Sequence, residues 1–96
     1  MATEADRREA ARAAGERYGA MAADLSLMRV NSAADEDVME ERVQELARNI
    51  REQALQQVRE GLGEDLALVW KQAALEAAQI RLAAFGAAAE TTQPKD

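Results

Sequence analysis

The sequence predicts an all-α protein of three helices, and three observations support this. From Ala2 to Ala89 most residues are Ala, Leu, Glu, Arg, Gln and Met, the types that lose least free energy in a helix. The single proline is Pro94, close to the end of the chain. Only two short stretches, at about 31–35 and 61–65, have the composition of turns. We therefore expect helices at about 3–29, 33–60 and 64–88, forming either a small helical bundle or an extended helical hairpin.

The first predicted helix begins with a polar cap. Thr3 is a suitable N-cap, and Glu4 and Asp6 place negative charge in the first turn. Apolar side chains then recur at alternating spacings of three and four residues, which is the heptad pattern of a coiled-coil seam. The residues of this line are Ala11, Ala14, Tyr18, Met21, Leu25 and Met28.

A second line on the same helix consists of small residues at every fourth position: Ala11, Gly15, Gly19 and Ala23. Each glycine costs about 1 kcal/mol relative to alanine inside a helix. One interpretation is that another backbone approaches closely at these positions, as in helix pairs joined through small residues. The other is that the glycines are tolerated on an exposed face, and the sequence leaves both open.

The second predicted helix follows a turn in which Ser32 and Asp35 resemble a capping arrangement. Its apolar line starts with heptad spacing and then drifts towards the 3.6-residue period of a globular helix. Val38 and Leu55 widen this stripe. The segment Gly61-Leu62-Gly63 either ends the helix or kinks one long helix. The residues of the line are Met39, Val43, Leu46, Ile50, Ala54, Val58 and Leu62.

The third predicted helix is apolar on more than one side. One stripe comprises Leu66, Val69, Ala73, Ile80 and Ala84, and a second line comprises Leu68, Leu75 and Leu82. Such a helix is either the most buried element or one that contacts two partners.

One chain contains few large hydrophobic side chains with which to form a core. Apolar residues make up 48% of the sequence, but 23 of them are Ala. A buried large side chain contributes about 1.5–3 kcal/mol and alanine contributes much less. We therefore expect residues 1–90 to form a single helical domain that self-associates, most simply as a dimer. The segment 91–96, which contains Pro94, is expected to be disordered.

Large apolar and aromatic residues on the exposed-looking lines are the candidate interface residues. Trp and Tyr are enriched among interface hot spots, and Met suits adaptable contact surfaces. The predicted interface set is Tyr18, Met21, Leu25, Met28, Leu68, Trp70, Leu75, Leu82 and Phe85.

The side-chain inventory argues against catalysis. The chain contains no His and no Cys, so the usual general base near neutral pH and the best nucleophile are both missing. The string Arg48, Arg51, Glu52 and Gln53 has residue types that could hold an anionic substrate, but ordinary surface residues are the simpler interpretation. We expect no enzyme activity, no catalytic residue, no cofactor and no small-molecule substrate.

Charge further restricts the partners. The net charge is −6, with eight acids against four arginines in residues 32–63. An acidic chain does not attract phosphate backbones, so no nucleic-acid partner is expected. The acidic run at 35–41 lacks the spacing of an EF-hand, and a charged first turn explains it without a metal.

No signal peptide or membrane span is apparent, and a cytoplasmic location is expected.

These observations predict a non-enzymatic protein–protein interaction module. It would be a small acidic adaptor, chaperone or inhibitor that packs its helices against a partner or a second copy. The alternative is a structural subunit of a larger assembly, such as a phage particle or a secretion apparatus. A third possibility is a small helical enzyme that uses Arg and Glu on an anionic substrate.

Overall fold

The computed structural model describes the backbone of residues 2–28 and 36–92, and the side chains of 2–28 and 39–85. It contains three helices, α1 (Glu4–Leu27), α2 (Glu36–Arg59) and α3 (Glu64–Thr92), and the described segments contain no strand. The predicted all-α class is confirmed. α1 ends two residues before the predicted end, and α3 continues to Thr92, into the segment expected to be disordered. The predicted cap at Ser32 and Asp35 lies outside the described residues.

The start of α1 is a capping box. The backbone N–H of Asp6 donates to the Thr3 hydroxyl oxygen at 3.1 Å, and the Asp6 carboxylate accepts from the Thr3 N–H at 3.1 Å. Each side chain thereby satisfies a backbone donor that has no partner within the helix. The predicted N-cap at Thr3 is confirmed.

Gly61 ends α2 rather than kinking a continuous helix. Its φ of +110° lies in a region that residues with a Cβ rarely adopt. The N–H of Leu62 donates to the Gln57 carbonyl at 2.9 Å, and the N–H of Gly61 donates to the Val58 carbonyl at 3.1 Å. This pair of bonds is the Schellman motif, which satisfies carbonyls at a helix end and reverses the chain.

Gly61→Ala is expected to lower the free energy of unfolding by about 1–2 kcal/mol, because a Cβ is strained at this φ. Urea denaturation would measure the change. Gly63→Ser, two residues further along the same turn, is the control, and it should not lower the free energy of unfolding. An added Cβ at Gly63 meets no atom within 4 Å, and serine is a better N-cap for α3 than glycine. A Gly61→Ala protein as stable as the wild type would contradict the assigned turn.

The three helices form an elongated bundle with an up-down-up arrangement. Gly15 packs beside Trp70, Gly19 packs beside Ala74, and Asp24 lies 3.9 Å from Arg81, so α1 and α3 run parallel. α2 runs antiparallel to both. The bundle measures 60 × 21 × 15 Å, and its radius of gyration is 15.7 Å. A compact domain of this length would have a radius of about 12–13 Å. The contact between α1 and α3 is by far the most extensive, and α2 packs more lightly on that pair.

Alanines dominate the core. Among the described residues, nine apolar residues are buried and six of them are Ala. The three large ones are Leu46, Ile50 and Trp70, and Ile50 is fully buried. The rings of Tyr18 and Trp70 stack at a tilt of 44° with their centroids 5.0 Å apart. The buried alanines are Ala23, Ala54, Ala67, Ala74, Ala77 and Ala78.

Candidate functional site

Close approach of two backbones defines the contact between α1 and α3. An ideal Cβ on Gly19 would lie 2.7 Å from the carbonyl carbon of Ala74 and closer still to the carbonyl oxygen. A Cβ on Gly15 would lie 3.0 Å from the carbonyl carbon of Trp70, and again closer to the oxygen. The line of small residues therefore serves close packing, with α3 of the same chain as its partner. The alternative of glycines on an exposed face is excluded.

This contact leaves the second half of the heptad line of α1 outside the core, while Ala11, Ala14 and Tyr18 pack against it. Gly15, Gly19 and Ala23 occupy the side of α1 that faces α3. Met21, Leu25 and Met28 lie on another side and are exposed, Met28 to 80%. These three residues belong to the predicted interface set, and their exposure leaves them accessible to a partner, because the line of small residues forms the closer contact with α3. We call Met21, Leu25 and Met28 the α1 surface.

The other predicted interface residues divide between the core and its margin. Trp70 is only 5% exposed, and Tyr18 packs against the core through the Trp70 ring. The Trp70 ring is closed to a partner in this structure, whereas Tyr18 is half-buried and borders two surface grooves. Leu75, Leu82 and Phe85 are half-buried, and Leu75 and Leu82 pack on the core cluster. Leu68 is exposed.

An apolar groove of about 500 Å³ lies between α2 and α3, close to the Gly61 turn. Exposed Leu55 and Leu68 and half-buried Val58 line it, with Ala54 and Ala67 beneath them. We call it the α2–α3 groove. Two basic and two acidic residues surround it: Arg51, Lys71, Glu64 and Asp65.

A second groove of about 410 Å³ lies between α1 and α3, and no α2 residue lines it. Its apolar floor contains Ile80, which is 63% exposed, and four alanines. We call it the α1–α3 groove. Its lining residues are Ala20, Ala73, Ala77, Ile80 and Ala84, together with Arg12, Glu16, Glu76 and Arg81.

Leu55 and Ile80 were absent from the predicted interface set. Both belong to apolar stripes of their helices, and the sequence did not show which residues of those stripes would be buried and which would be exposed. Leu55 directly follows the buried Ala54, so it lies about 100° round the helix from the core line. That offset is the signal that could have identified it.

Arg12 forms the strongest ion cluster among the described residues. Its guanidinium contacts the Glu9 carboxylate at 2.6 Å and the Glu16 carboxylate at 2.5 Å. Hydrogen bonding to Arg12 lowers the pKa of Glu9 below its usual value, and the Arg12 charge adds to the shift. The stabilisation from this pair is present at neutral pH and is lost as the pH falls through the lowered pKa. All three side chains are exposed, so the contribution is small.

The residue types that could hold an anionic substrate do not converge. Arg48, Arg51, Glu52 and Gln53 are all exposed on α2. Arg51 borders the α2–α3 groove, whereas Glu52 and Gln53 border an open groove beside Tyr18. Within the described parts of the chain, no three acidic residues come together as a metal site. The acidic run lies partly outside those parts.

None of the described helices has the length and apolar character needed to cross a bilayer. The geometry defines an all-α, three-helix protein whose large exposed apolar side chains, apart from Val43 of α2, occur on the α1 surface and in two grooves. Comparisons with protein-family models, curated proteins and solved structures find no match to the chain.

Proposed function

We propose that this protein is a non-enzymatic interaction module that binds another protein through exposed apolar side chains of its helices. One observation carries the proposal: three large apolar side chains of α1 are exposed in one line, beside a core in which alanine predominates. Among the described residues three large hydrophobic side chains are buried, seven are exposed and the others are half-buried. Single exposed apolar residues are normal on a protein surface, whereas a line of them is typical of an interaction site.

The α1 surface is the proposed contact for a protein partner. Its three side chains follow one line along the second half of α1 and reach 53–80% exposure. Two of them are methionines, whose flexible side chains adapt to differently shaped surfaces. Burial of these side chains would offset part of the cost of association, which is about 4–15 kcal/mol.

Charge suggests the character of the partner. The chain carries −6, although the groove that Leu25 shares with α2 is locally balanced, because Arg42 and Glu45 form an ion pair there at 3.2 Å. A partner with an apolar groove and a net positive charge would be attracted by the whole chain and would associate faster than a neutral one. We propose accordingly an acidic adaptor, chaperone or inhibitor that acts in the cytoplasm, with neither nucleic acid nor a small-molecule substrate as its target.

The test begins with the protein purified under native conditions together with its bound partner. Calorimetry then measures the affinity of the identified partner for the wild type and for the variant Met21→Gln, Leu25→Gln, Met28→Gln. We expect at least about tenfold weaker binding by the variant. Gln53→Ala, at an exposed polar position of α2, is the control and should bind as the wild type does. Equal affinity for the wild type and the triple variant would refute the α1 surface as the contact.

A structural subunit of a larger assembly, such as a phage particle or a secretion apparatus, is the second candidate. It is favoured by the distribution of exposed apolar side chains over the α1 surface and both grooves. Contacts on different sides of one molecule can generate open-ended assemblies. Light scattering separates the candidates, because a subunit would form large regular particles at modest concentration and an adaptor would form a small complex.

A further inference from the structure

We propose that the α1–α3 groove binds a second copy of this chain, with the two α3 helices packed parallel and in register about a two-fold axis that runs along them. The inference rests on the proposed function, because it names one partner for one apolar surface. It concerns the α1–α3 groove and not the α1 surface, so the two proposals can fail separately.

The apolar stripe of α3 in this groove has the heptad spacing of a two-stranded coiled coil. Ala73, Ala77, Ile80 and Ala84 follow one another at spacings of four, three and four residues, and all four line the groove. In heptad terms Ala77 and Ala84 occupy position a, and Ala73 and Ile80 occupy position d. Such a stripe can stay in contact with one neighbouring helix along its length.

Two charged side chains flank the stripe on opposite sides. Because a helix turns by about 100° per residue, Glu76 lies about 70° to one side of the centre of the stripe and Arg81 about 70° to the other. They occupy positions g and e of the heptad. In a parallel pair, position g of one helix faces position e of the other, five residues further along. Each Glu76 would therefore face Arg81 of the other copy, and the two-fold axis forms this pair twice.

The same two charges disfavour an antiparallel pair of the stripe. A two-fold axis across the helices places the acidic flank of one helix beside the acidic flank of the other, and the basic flank beside the basic flank. Like charges brought together in an interface weaken association. The opposite placement of Glu76 and Arg81 therefore selects the parallel orientation.

Both charged side chains are available for these pairs. Within the described part of the chain, Glu76 forms no ion pair. Arg81 contacts Asp24 only at 3.9 Å, and both side chains of that contact are more than half exposed. In the proposed dimer Arg81 would lie between Asp24 of its own chain and Glu76 of the other copy.

Net charge also favours this face for two copies. Each chain carries −6, so acidic faces of two copies repel each other. The lining of the α1–α3 groove contains two arginines and two glutamates, and their charges cancel. On the α1 side, Arg12 and Glu16 already contact each other. Two chains can therefore meet here at a lower electrostatic cost than through an acidic face.

The shape of the groove suits one further helix. The α3 stripe forms its floor, and Arg12, Glu16 and the small Ala20 of α1 form one wall, so a second α3 can contact both helices. The side chain of Ile80, which is 63% exposed, would pack against Ile80 of the other copy and leave water. Because α1 already covers one flank of each α3, we expect a dimer.

Analytical ultracentrifugation of the full chain over a range of concentrations tests the proposal. We expect a monomer–dimer equilibrium whose Kd rises at least about tenfold in Ile80→Glu, because two carboxylates would face each other in the interface. Leu68→Glu is the matched control, because Leu68 is a similarly exposed apolar residue of α3 in the other groove. It should leave the Kd unchanged. A wild type that remains monomeric throughout, or a Kd affected by Leu68→Glu and not by Ile80→Glu, would overturn the proposal.

Charge reversal tests the parallel orientation. Glu76→Arg and Arg81→Glu each place like charges opposite one another at two symmetric positions, and each should raise the Kd severalfold. The double variant restores both pairs with their signs exchanged, so its Kd should return close to that of the wild type. Thermal unfolding checks that each variant remains folded. A double variant that dimerises no better than the single variants would contradict the parallel pairing.

A single cysteine tests the register, since the chain contains none. In a parallel pair in register, each residue of the stripe lies beside the same residue of the other copy, so Ala84→Cys should give a disulfide-linked dimer on mild oxidation. Ala83→Cys is the matched control, because Ala83 is also exposed but lies about 100° round the helix from Ala84. It should form far less linked dimer at the same concentration. Equal linkage of the two variants would refute the register.

The binding experiment on the α1 surface separates this inference from the proposed function. A wild type that binds its partner but remains monomeric would refute this inference and leave the proposed function in place. Dimerisation of the α1-surface triple variant with the Kd of the wild type is the expected result, because its three substitutions lie outside the α1–α3 groove.

Discussion

Ile50→Ala is expected to lower the free energy of unfolding by about 2–5 kcal/mol. Ile50 is the one large side chain that is fully buried among the described residues, and it packs with Leu46 and Trp70 in the core. Truncation removes its transfer free energy and leaves a cavity that helical backbones cannot readily close. Because the rest of the core is mostly alanine, few other side chains can compensate. Chemical denaturation followed by circular dichroism gives the change directly.

Leu55→Ala is the control for this prediction, since Leu55 lies on the same helix and is 58% exposed. It should change the free energy of unfolding by no more than about 0.5 kcal/mol. Both variants should be compared at a concentration where their association states are equal, because association adds to apparent stability. Similar losses in Ile50→Ala and Leu55→Ala would mean that Ile50 does not occupy the core described here.

Gly19→Ala is expected to lower the free energy of unfolding by about 1–3 kcal/mol, against the usual preference of helices for alanine. In an exposed helix this substitution would stabilise the protein by about 1 kcal/mol. Here the added Cβ would overlap the backbone of Ala74, which cannot rotate away as a side chain could. The two helices must separate, and the contacts along their shared face weaken. Thermal and chemical unfolding both measure the loss.

Ala10→Gly is the matched control on the same helix. Ala10 is exposed, so this variant should lose only the helix propensity, about 1 kcal/mol. Gly19→Ala is the opposite exchange, and it should also destabilise the protein. Helix propensity alone predicts that one exchange destabilises and the other stabilises, so a loss in both variants indicates tertiary packing at Gly19. A stabilised Gly19→Ala protein would show that α1 and α3 do not approach each other at this point.

Local features of the fold followed from local chemistry. Thr3 and Asp6 form the capping box because short polar side chains reach the free backbone donors of their own first turn. Gly61 ends α2 because the chain needs a positive φ there, although the sequence allowed a kink as well. These interactions lie within a few residues, so the sequence contains all that determines them.

The choice of packing face did not follow from the sequence. Tyr18 belongs to the same heptad line as Met21, Leu25 and Met28, yet only Tyr18 packs against the core. Helical periodicity shows which residues share a face but not which face meets a neighbour. The heptad pattern marked the larger side chains of α1 as its contact residues. The more extensive contact is instead the one with α3, which the close approach of the two backbones at Gly15 and Gly19 produces.

The sequence by itself determined that this protein is helical, where its helices begin and end to within a few residues, and that it lacks His and Cys. These properties depend on residue type and short-range contacts. Only the tertiary structure decided that Gly15 and Gly19 pack on α3 and that Met28 and Ile80 face outwards. The reason is that each helix has more than one apolar line. The closest packing of three backbones selects which line is buried, and this selection depends on all three helices at once.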